Sequence, residues 1–589
     1  MLARRDFSRV IAITLALIVV ALTDSSAWAS AYVDPELQVR LDSLAPTDRV
    51  GVIVKMRESQ RRRNARGKNA RGRPRVQRGQ GEHRHLKDAF NRDRARRNRI
   101  FRRHNVVGSR GGAAAGRPGL LSAGSWRKRQ KSLWLINGVA VSTSKASILS
   151  LASDPRVLEI VLDQTISLAD TTRSAGGIPE WNLSAVGADS LWAQGYNGTG
   201  IVVAVMDSGV DVQHPDLTAR WRGGSNSWLD LTDPLQLTPY DGTGHGTAVT
   251  GLILAGDLFG NPIGMAPGAA WIAARIFDAE GNASISDIHM AFQWFIDPDG
   301  DPNSDDAPDI VNASWALLGS LGNCSLEFAQ DIAALEAADI AVVFAAGNSG
   351  PGAGTSLSPA NGGNGLAVGS VNSNLDISYG SSRGPSECTG GIFPDISAPG
   401  VAVWTTDKSF GGFPFYSQVT GTSFSAPHVS GGLALLSQAH PDASVAELEA
   451  SITETAVDLG VLGPDNDHGQ GLVDFDAALQ WLDSGPTCGG GAGGADTDQD
   501  GTEDLCDNCT LVANAAQRDT DLDGYGNRCD ADLDNDGMVT IQDAVQFIAA
   551  FGTTDPDSDF DGDGYVNFFD IIVFIHAYMA PPGPSSLAP

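Results

Sequence analysis

The chain has 589 residues, 42% of them hydrophobic, and a formal net charge of −29. That length exceeds what a single hydrophobic core ordinarily supports, so several domains are expected. So acidic a balance argues against nucleic acid or an anionic membrane as partner, and suits saline surroundings or calcium.

The charge is unevenly spread. Of the 41 Lys and Arg, 34 precede position 176, against only 14 of the 70 acids. The first part therefore carries +20 and the remainder −49. Opposite signs in one chain point to a basic segment that is later removed.

Residues 1–29 read as a signal peptide. Arg4, Arg5 and Arg9 form a positive start, Val10 to Leu22 is apolar, and Ala27-Trp28-Ala29 is a small-x-small cleavage site. Arg4-Arg5-Asp6-Phe7 also resembles a twin-arginine motif, but the very apolar run favours the ordinary export route. No other run is suited to spanning a membrane; Ile571 to Ala580 is too short and contains His576. Export permits disulfides. The six cysteines (324, 388, 488, 506, 509 and 529) allow fifteen connectivities, which spacing leaves open.

Residues 30–175 form the basic region. Strands are expected at Val50–Met56, at Leu133–Val141 around an Asn137-Gly138 turn, and at Val157–Leu162, with a helix over Ser144–Ala152. Arg57 to Lys131 is rich in Arg and Gly and poor in apolar residues, so it is expected to be disordered. Nucleic-acid binding by this stretch is the less favoured alternative.

Residues 176–483 alternate strand and helix character. Ile201–Met206 is an apolar run ending at Asp207. His245 opens a helix over Gly246–Ala255, Ala341–Ala346 runs to Asn348, and Ser423 precedes a helix reaching about Gln438. Fully apolar strands between helices imply a parallel sheet covered on both faces, with chemistry at the carboxyl ends of its strands. Residues 484–495, Ser-Gly-Pro-Thr-Cys and then mostly Gly and Ala, read as a flexible linker.

Three segments carry the chemistry: Asp207-Ser208-Gly209, Asp241-Gly242-Thr243-Gly244-His245-Gly246-Thr247, and Gly421-Thr422-Ser423-Phe424-Ser425-Ala426-Pro427-His428. In that order they resemble the active-site blocks of the subtilase family of serine endopeptidases. Gly264-Met265-Ala266-Pro267, Ala345-Ala346-Gly347-Asn348, Ser397-Ala398-Pro399-Gly400 and Gly469-Gln470-Gly471-Leu472 match further landmarks. The Asp, His, Ser chain order is the one known for subtilisin.

The resemblance implies catalytic roles for Asp207, His245 and Ser423, with Asn348 as side-chain donor to the oxyanion. The residue types suit this: a serine hydroxyl needs a neighbouring base, histidine titrates near neutrality, and a carboxylate fixes the imidazole tautomer. It also implies substrate contacts from Ser314, Trp315 and Ala316 on one side and from Ala345, Ala346 and Gly347 on the other. Ala316 stands where the family usually has glycine, and Ala248 where many members have histidine. His214, His289 and His428 match no base position and read as structural. Asp216 lies at the spacing of a family calcium ligand. The stretch "SLASDPRVLEIVLD", with its short strand–helix–strand unit, resembles the family's inhibitory propeptide, here with a long basic insertion.

The tail repeats an acidic pattern. Asp532, Asp534, Asp536, Met538 and Asp543 fall at ligand positions of an EF-hand-like loop, as do Asp559, Asp561, Asp563, Tyr565 and Asp570. A helix is expected after each loop, and the pair resembles a dockerin type I domain over 531–580. Asp496, Asp498, Asp500, Asp519, Asp521 and Asp523, in 496–530, resemble thrombospondin type 3 repeats, in which calcium and disulfides replace apolar burial. With that resemblance, the working pairs are Cys509–Cys529 and Cys488–Cys506, with Cys324–Cys388 in the catalytic domain.

The expectation is a secreted multidomain protein. It would comprise an α+β propeptide, an α/β subtilisin-like catalytic domain and small calcium-bound repeats. Calcium is the cofactor. Peptides or proteins, the chain's own propeptide and a cohesin-like or cell-surface component are the partners. The competing class is a catalytically idle, calcium-dependent surface-binding protein.

Overall fold

The computed structural model describes residues 31–57, 87, 89–104, 106, 130–168, 172–174 and 181–484, apart from 257, 259–261, 302, 303 and 305, together with parts of 509–583. The expected signal peptide over 1–29, residues 485–495 of the expected linker, Cys488, Cys506 and the six repeat aspartates from Asp496 to Asp523 lie outside the described residues. So do Asp534, Asp536, Met538, Asp561 and Asp563.

The N-terminal region is a small α+β unit. Its strands are β1 (Tyr32–Val33), β2 (Arg49–Met56), β3 (Lys131–Leu133), β4 (Gly138–Ser144) and β5 (Val157–Leu162), ordered β1-β5-β2-β4-β3. Helices α1 (Pro35–Asp42), α2 (Arg94–Arg103) and α3 (Lys145–Ala152) complete it. The expected run over Leu133–Val141 is a hairpin, broken where Asn137 takes φ 50°. Ser144 caps α3 by accepting from the Ser147 N–H at 3.2 Å.

Helix α2 corrects the expectation of disorder across Arg57–Lys131. Phe90, Ile100 and Phe101 are buried with Leu37, Val52 and Ile160, and the Arg97 guanidinium lies 3.3 Å from the Phe90 ring centroid. A helix needs only one apolar stripe. Averaging composition over the whole arginine-rich stretch hid that stripe, while arginines cover the exposed side.

The catalytic domain is built on seven parallel strands: β8 (Val202–Asp207), β9 (Trp228–Asp230), β10 (Ala270–Arg275), β12 (Ile310–Ala313), β13 (Ala341–Ala345), β14 (Leu366–Val371) and β15 (Ile396–Pro399). Their order is β15-β14-β13-β12-β8-β10-β9. Alternate residues of β8 serve opposite faces, as a strand's two-residue period requires. Val203 and Val205 join a core containing α4 (His245–Leu254), α7 (Ala426–Ala439), α8 (Val445–Glu454) and α9 (Phe475–Ser484). Ala204 and Met206 join another containing α5 (Ile285–Ile296) and α6 (Ala329–Glu336). The alternation of buried strand and helix in the sequence is thus realised as the expected three-layer sheet. Cys324 and Cys388 form one disulfide.

Smaller pairings surround it. β6 (Thr165–Ser167) pairs with β11 (Asn282–Ser284), and β16 (Val403–Phe410) forms a hairpin with β17 (Phe413–Thr420). β7 (Thr172–Ser174) lies antiparallel on β17, with Thr172 opposite Thr420. The N-terminal unit lies against α5 and the loop before α6. Lys131 pairs with Asp287 at 2.7 Å, Lys55 with Glu327 at 3.0 Å, and Leu135 N–H donates to Gln293 Oε1 at 3.2 Å.

In the tail, α10 (Ile541–Ala550) and α11 (Phe568–Ala577) enclose a small core. Phe547 stacks between Phe560 and Phe574, with centroids 5.5 and 5.2 Å away. Cys509 and Cys529 are bonded. Among the described residues no helix is long and apolar enough to cross a membrane.

Candidate active site

Asp207 is the last residue of β8 and His245 the first of α4, so the sheet delivers the acid and a helix delivers the imidazole. His245 Nδ1 lies 2.8 and 2.9 Å from the two oxygens of Asp207, and both side chains are buried. Such a contact fixes which ring nitrogen carries the proton and leaves Nε2 to act as a base. Gly246 makes the approach possible: a Cβ there would stand 2.1 Å from the Gly209 carbonyl oxygen and 3.1 Å from Asp207 Cβ.

Ser423 sits in a single 3-10 turn, Thr422–Phe424, just ahead of α7. Gly421 enters that turn at φ 148° and ψ 162°, a conformation essentially reserved for glycine. The Ser423 hydroxyl donates to the Ser314 carbonyl at 3.2 Å, and the Ser314 hydroxyl donates to the Ser423 carbonyl at 2.8 Å. His245 Nε2 is buried and has no hydrogen-bond partner. The serine therefore rests on Ser314 and would have to turn to reach the imidazole. Nucleophile–base hydrogen bonds of this kind commonly tighten only in the complex with substrate.

Asn348 follows β13. Its Oδ1 accepts from both the N–H and the hydroxyl of Thr422, each at 3.0 Å. That occupies the amide oxygen and leaves Nδ2 as the donor beside the Ser423 turn.

The predicted substrate-binding runs leave the sheet together, because β12 and β13 are parallel neighbours with Ala313 opposite Phe344. Ser314, Ala316, Ala345, Ala346 and Gly347 lie at this carboxyl edge. The Trp315 indole does not contribute there: it is buried edge-on against Phe328 and Phe344.

Sequence reading missed the support beneath His245. The sequence assigns Asp241 no role. Its Oδ1 accepts from the Ser208 hydroxyl at 2.8 Å, Thr243 N–H at 2.9 Å and Gly244 N–H at 2.7 Å. Its Oδ2 accepts from Thr247 N–H at 2.8 Å and the Thr247 hydroxyl at 2.6 Å. Arg275, buried on Asp230 at 3.2 Å, also holds the Ser208 carbonyl at 3.1 Å. Asp241 had a signal, since Asp-Gly-Thr-Gly ahead of a helix is turn chemistry. Arg275 and Asp230 had none.

The three histidines expected to be structural are held by protein groups. Burial pushes His428 down to about 4; its ring bonds the Phe424 carbonyl at 2.8 Å and Asn182 at 2.9 Å. Burial also lowers His214, which sits against the Phe415 carbonyl at 3.2 Å. Burial opposes charge on His289 as well, but Asp331 at 2.8 Å and Glu327 at 3.0 Å outweigh it and hold that ring up at about 9.

Asp216 accepts at Oδ1 from Leu258 N–H at 3.3 Å and at Oδ2 from the Tyr416 hydroxyl. In the tail, Asp532 and Asp543 are buried, as are Asp559 and Asp570, while Tyr565 is exposed. These aspartates hold the first and last positions of the two loops. Buried carboxylates in so small a core suit oxygen ligation of a hard cation. Arg518 also pairs with Asp559 at 3.3 Å.

The subtilase family model matches residues 198–471, and the thrombospondin type 3 repeat model matches 485–517 and 518–552. The second repeat match thus runs through the first dockerin-like loop and α10. Bacillopeptidase F of Bacillus subtilis is 35% identical over 382 residues, which is 59% of this chain but 26% of that longer protein. Subtilisin E of Bacillus subtilis is 33% identical over 355 residues, covering 60% of this chain and 83% of its own. Subtilisin of Bacillus pumilus is 34% identical over 302 residues, 51% of this chain and 98% of its own. The chain belongs to the subtilase family of serine endopeptidases.

Proposed function

We propose that the chain is a secreted endopeptidase, made as a zymogen, that cleaves peptide bonds through an acyl-enzyme on Ser423. One observation carries the reading: the Asp207–His245 pair, the Ser423 turn and the Thr422-oriented Asn348 converge at one edge of the sheet. Ser423 Oγ turns to His245 Nε2, gives up its proton and attacks the substrate carbonyl. Asp207 stabilises the imidazolium that forms. Asn348 Nδ2 donates to the oxyanion as charge develops there. His245 then returns the proton to the leaving amine, and water hydrolyses the ester by the reverse sequence.

Peptide substrates lie between Ser314–Ala316 and Ala345–Gly347, held largely through backbone bonds. The methyl of Ala316 narrows the pocket against large apolar side chains. Residues 30–175 act as the propeptide, 176–483 as the catalytic domain and 496–580 as the calcium-binding tail, following a signal peptide at 1–29. Complementary charge across the contacts of Lys55 and Lys131, and the seating of β7 on the strand leading into Ser423, support an inhibitory N-terminal region. The tail binds calcium through Asp532, Asp543, Asp559 and Asp570, with Asp534, Asp536, Met538, Asp561, Asp563 and Tyr565 completing the two loops. It stabilises the enzyme or tethers it to a cohesin-like or cell-surface component.

Digestion of a denatured protein, with and without a serine-reactive inhibitor, tests the chemistry. Inhibitor-sensitive cleavage that disappears in Ser423→Ala is the expected result. Unchanged cleavage in Ser423→Ala would end the reading.

A further inference from the structure

Between α5 and β12 the chain carries Asp297-Pro298-Asp299-Gly300-Asp301, the same Asp-x-Asp-Gly-Asp run as Asp559 to Asp563 in the tail. One carboxylate oxygen from each of Asp297, Asp299 and Asp306 lies within 4.8 Å of the others. Local bonds fix two of these groups. Asp306 Oδ2 accepts from Asp299 N–H and Asn226 Nδ2, both at 2.9 Å, and Asp299 Oδ1 accepts from Asp301 N–H at 2.6 Å and the Ser304 hydroxyl at 3.0 Å.

Asp297 is different. Its side chain is only 8% exposed, and its Oδ1 is buried with no hydrogen-bond partner. A buried carboxylate oxygen without a donor is costly, and two neighbouring carboxylates raise that cost. Its other oxygen, Oδ2, is held by the ammonium of Lys87, which reaches across from the N-terminal region. Among the described residues a second nearby cation is Arg222, which donates to the Asp306 backbone carbonyl at 2.6 Å and feels the charges of Asp306 and Asp299.

We propose that Asp297, Asp299 and Asp306 form a site for a hard divalent cation of the calcium class, and that Lys87 stands in for that cation while the N-terminal region is attached. Lys87 and Arg222 offset two of the three carboxylate charges. Without Lys87 about two negative charges remain on oxygen ligands, the complement of a divalent ion. Loss of the N-terminal region would then be coupled to cation uptake on the catalytic domain. That last step rests on the zymogen reading, whereas the site and its competition with Lys87 do not.

The test uses the full chain carrying Ser423→Ala, so that no processing intervenes. Bound calcium is counted by equilibrium dialysis in this parent, in Lys87→Met, and in Lys87→Met with Asp299→Asn. Terbium emission excited through tryptophan gives a local readout, because Trp294 Nε1 bonds the Pro298 carbonyl at 3.0 Å. Lys87→Met is expected to bind one more calcium than the parent and to gain terbium emission severalfold; adding Asp299→Asn should remove both gains. Equal counts in parent and Lys87→Met, or a gain that survives Asp299→Asn, would overturn the proposal. Met keeps the lysine stem and Asp299 is exposed; should circular dichroism show Lys87→Met misfolded, Lys87→Gln replaces it with the same criteria. Failure of the protease reading would show separately, as absence of cleavage by the chain with Ser423 intact.

Discussion

The catalytic domain and the tail share an acidic bias and use it in opposite ways. In the catalytic domain, buried acids are internal scaffolding: Asp241 ties four donors of the histidine segment and the Ser208 hydroxyl, and Asp207 orients His245. Stability there rests on a seven-stranded sheet with an apolar core on each face. In the tail the apolar core is small, and buried aspartates stand at the ends of the two loops. The same residue type thus gathers hydrogen-bond donors in the catalytic domain, and in the tail stands where the proposed cation ligation needs it. On the proposed reading, calcium belongs to the architecture of the tail more than to the chemistry of Ser423.

The contrast can be broken from the catalytic side first. Ser423→Ala or His245→Ala should lower kcat by about 10⁶-fold, the scale of removing a triad member from an enzyme of this class. Asn348→Ala should cost about 10²–10³ in kcat with little change in KM, measured on a peptide substrate. Asp241→Ala should destabilise the fold by about 3 kcal/mol or more in denaturant titration, since several donors lose their acceptor at once. A chelator should reduce the ellipticity contributed by α10 and α11 while shifting the catalytic domain's melting much less. If chelation melts both regions together, the division of roles is wrong.

The smallest expected effect is a pH dependence. His289 is held up at about 9, above the ordinary 6.5. Its charged pairing with Asp331 and Glu327 is therefore fully present below pH 6.5 and is lost as pH rises through about 9. Thermal stability should fall across that window, and His289→Gln should flatten the fall.

Much of this was legible in the sequence, for a physical reason. Asp207, His245, Ser423 and Asn348 sit at element ends flanked by glycine and small residues, and such ends leave local signatures. The sheet could be read because fully buried strands are unbroken apolar runs. Long-range partners left no such trace. Arg275 and Asp230 are brought together only by the pairing of β9 with β10. Lys87 and Asp297 meet only where two regions pack. Helix α2 was hidden because one apolar stripe suffices to fold it, and composition averages over all its faces.

Covalent labelling gives the sharpest test of Ser423. Treating the chain with a serine-reactive fluorophosphonate and mapping the adduct by peptide mass spectrometry should place a single label on the peptide spanning Gly421 to His428. That label should be absent in His245→Ala. Failure to label, or labelling elsewhere while proteolysis persists in Ser423→Ala, would contradict a triad of Asp207, His245 and Ser423.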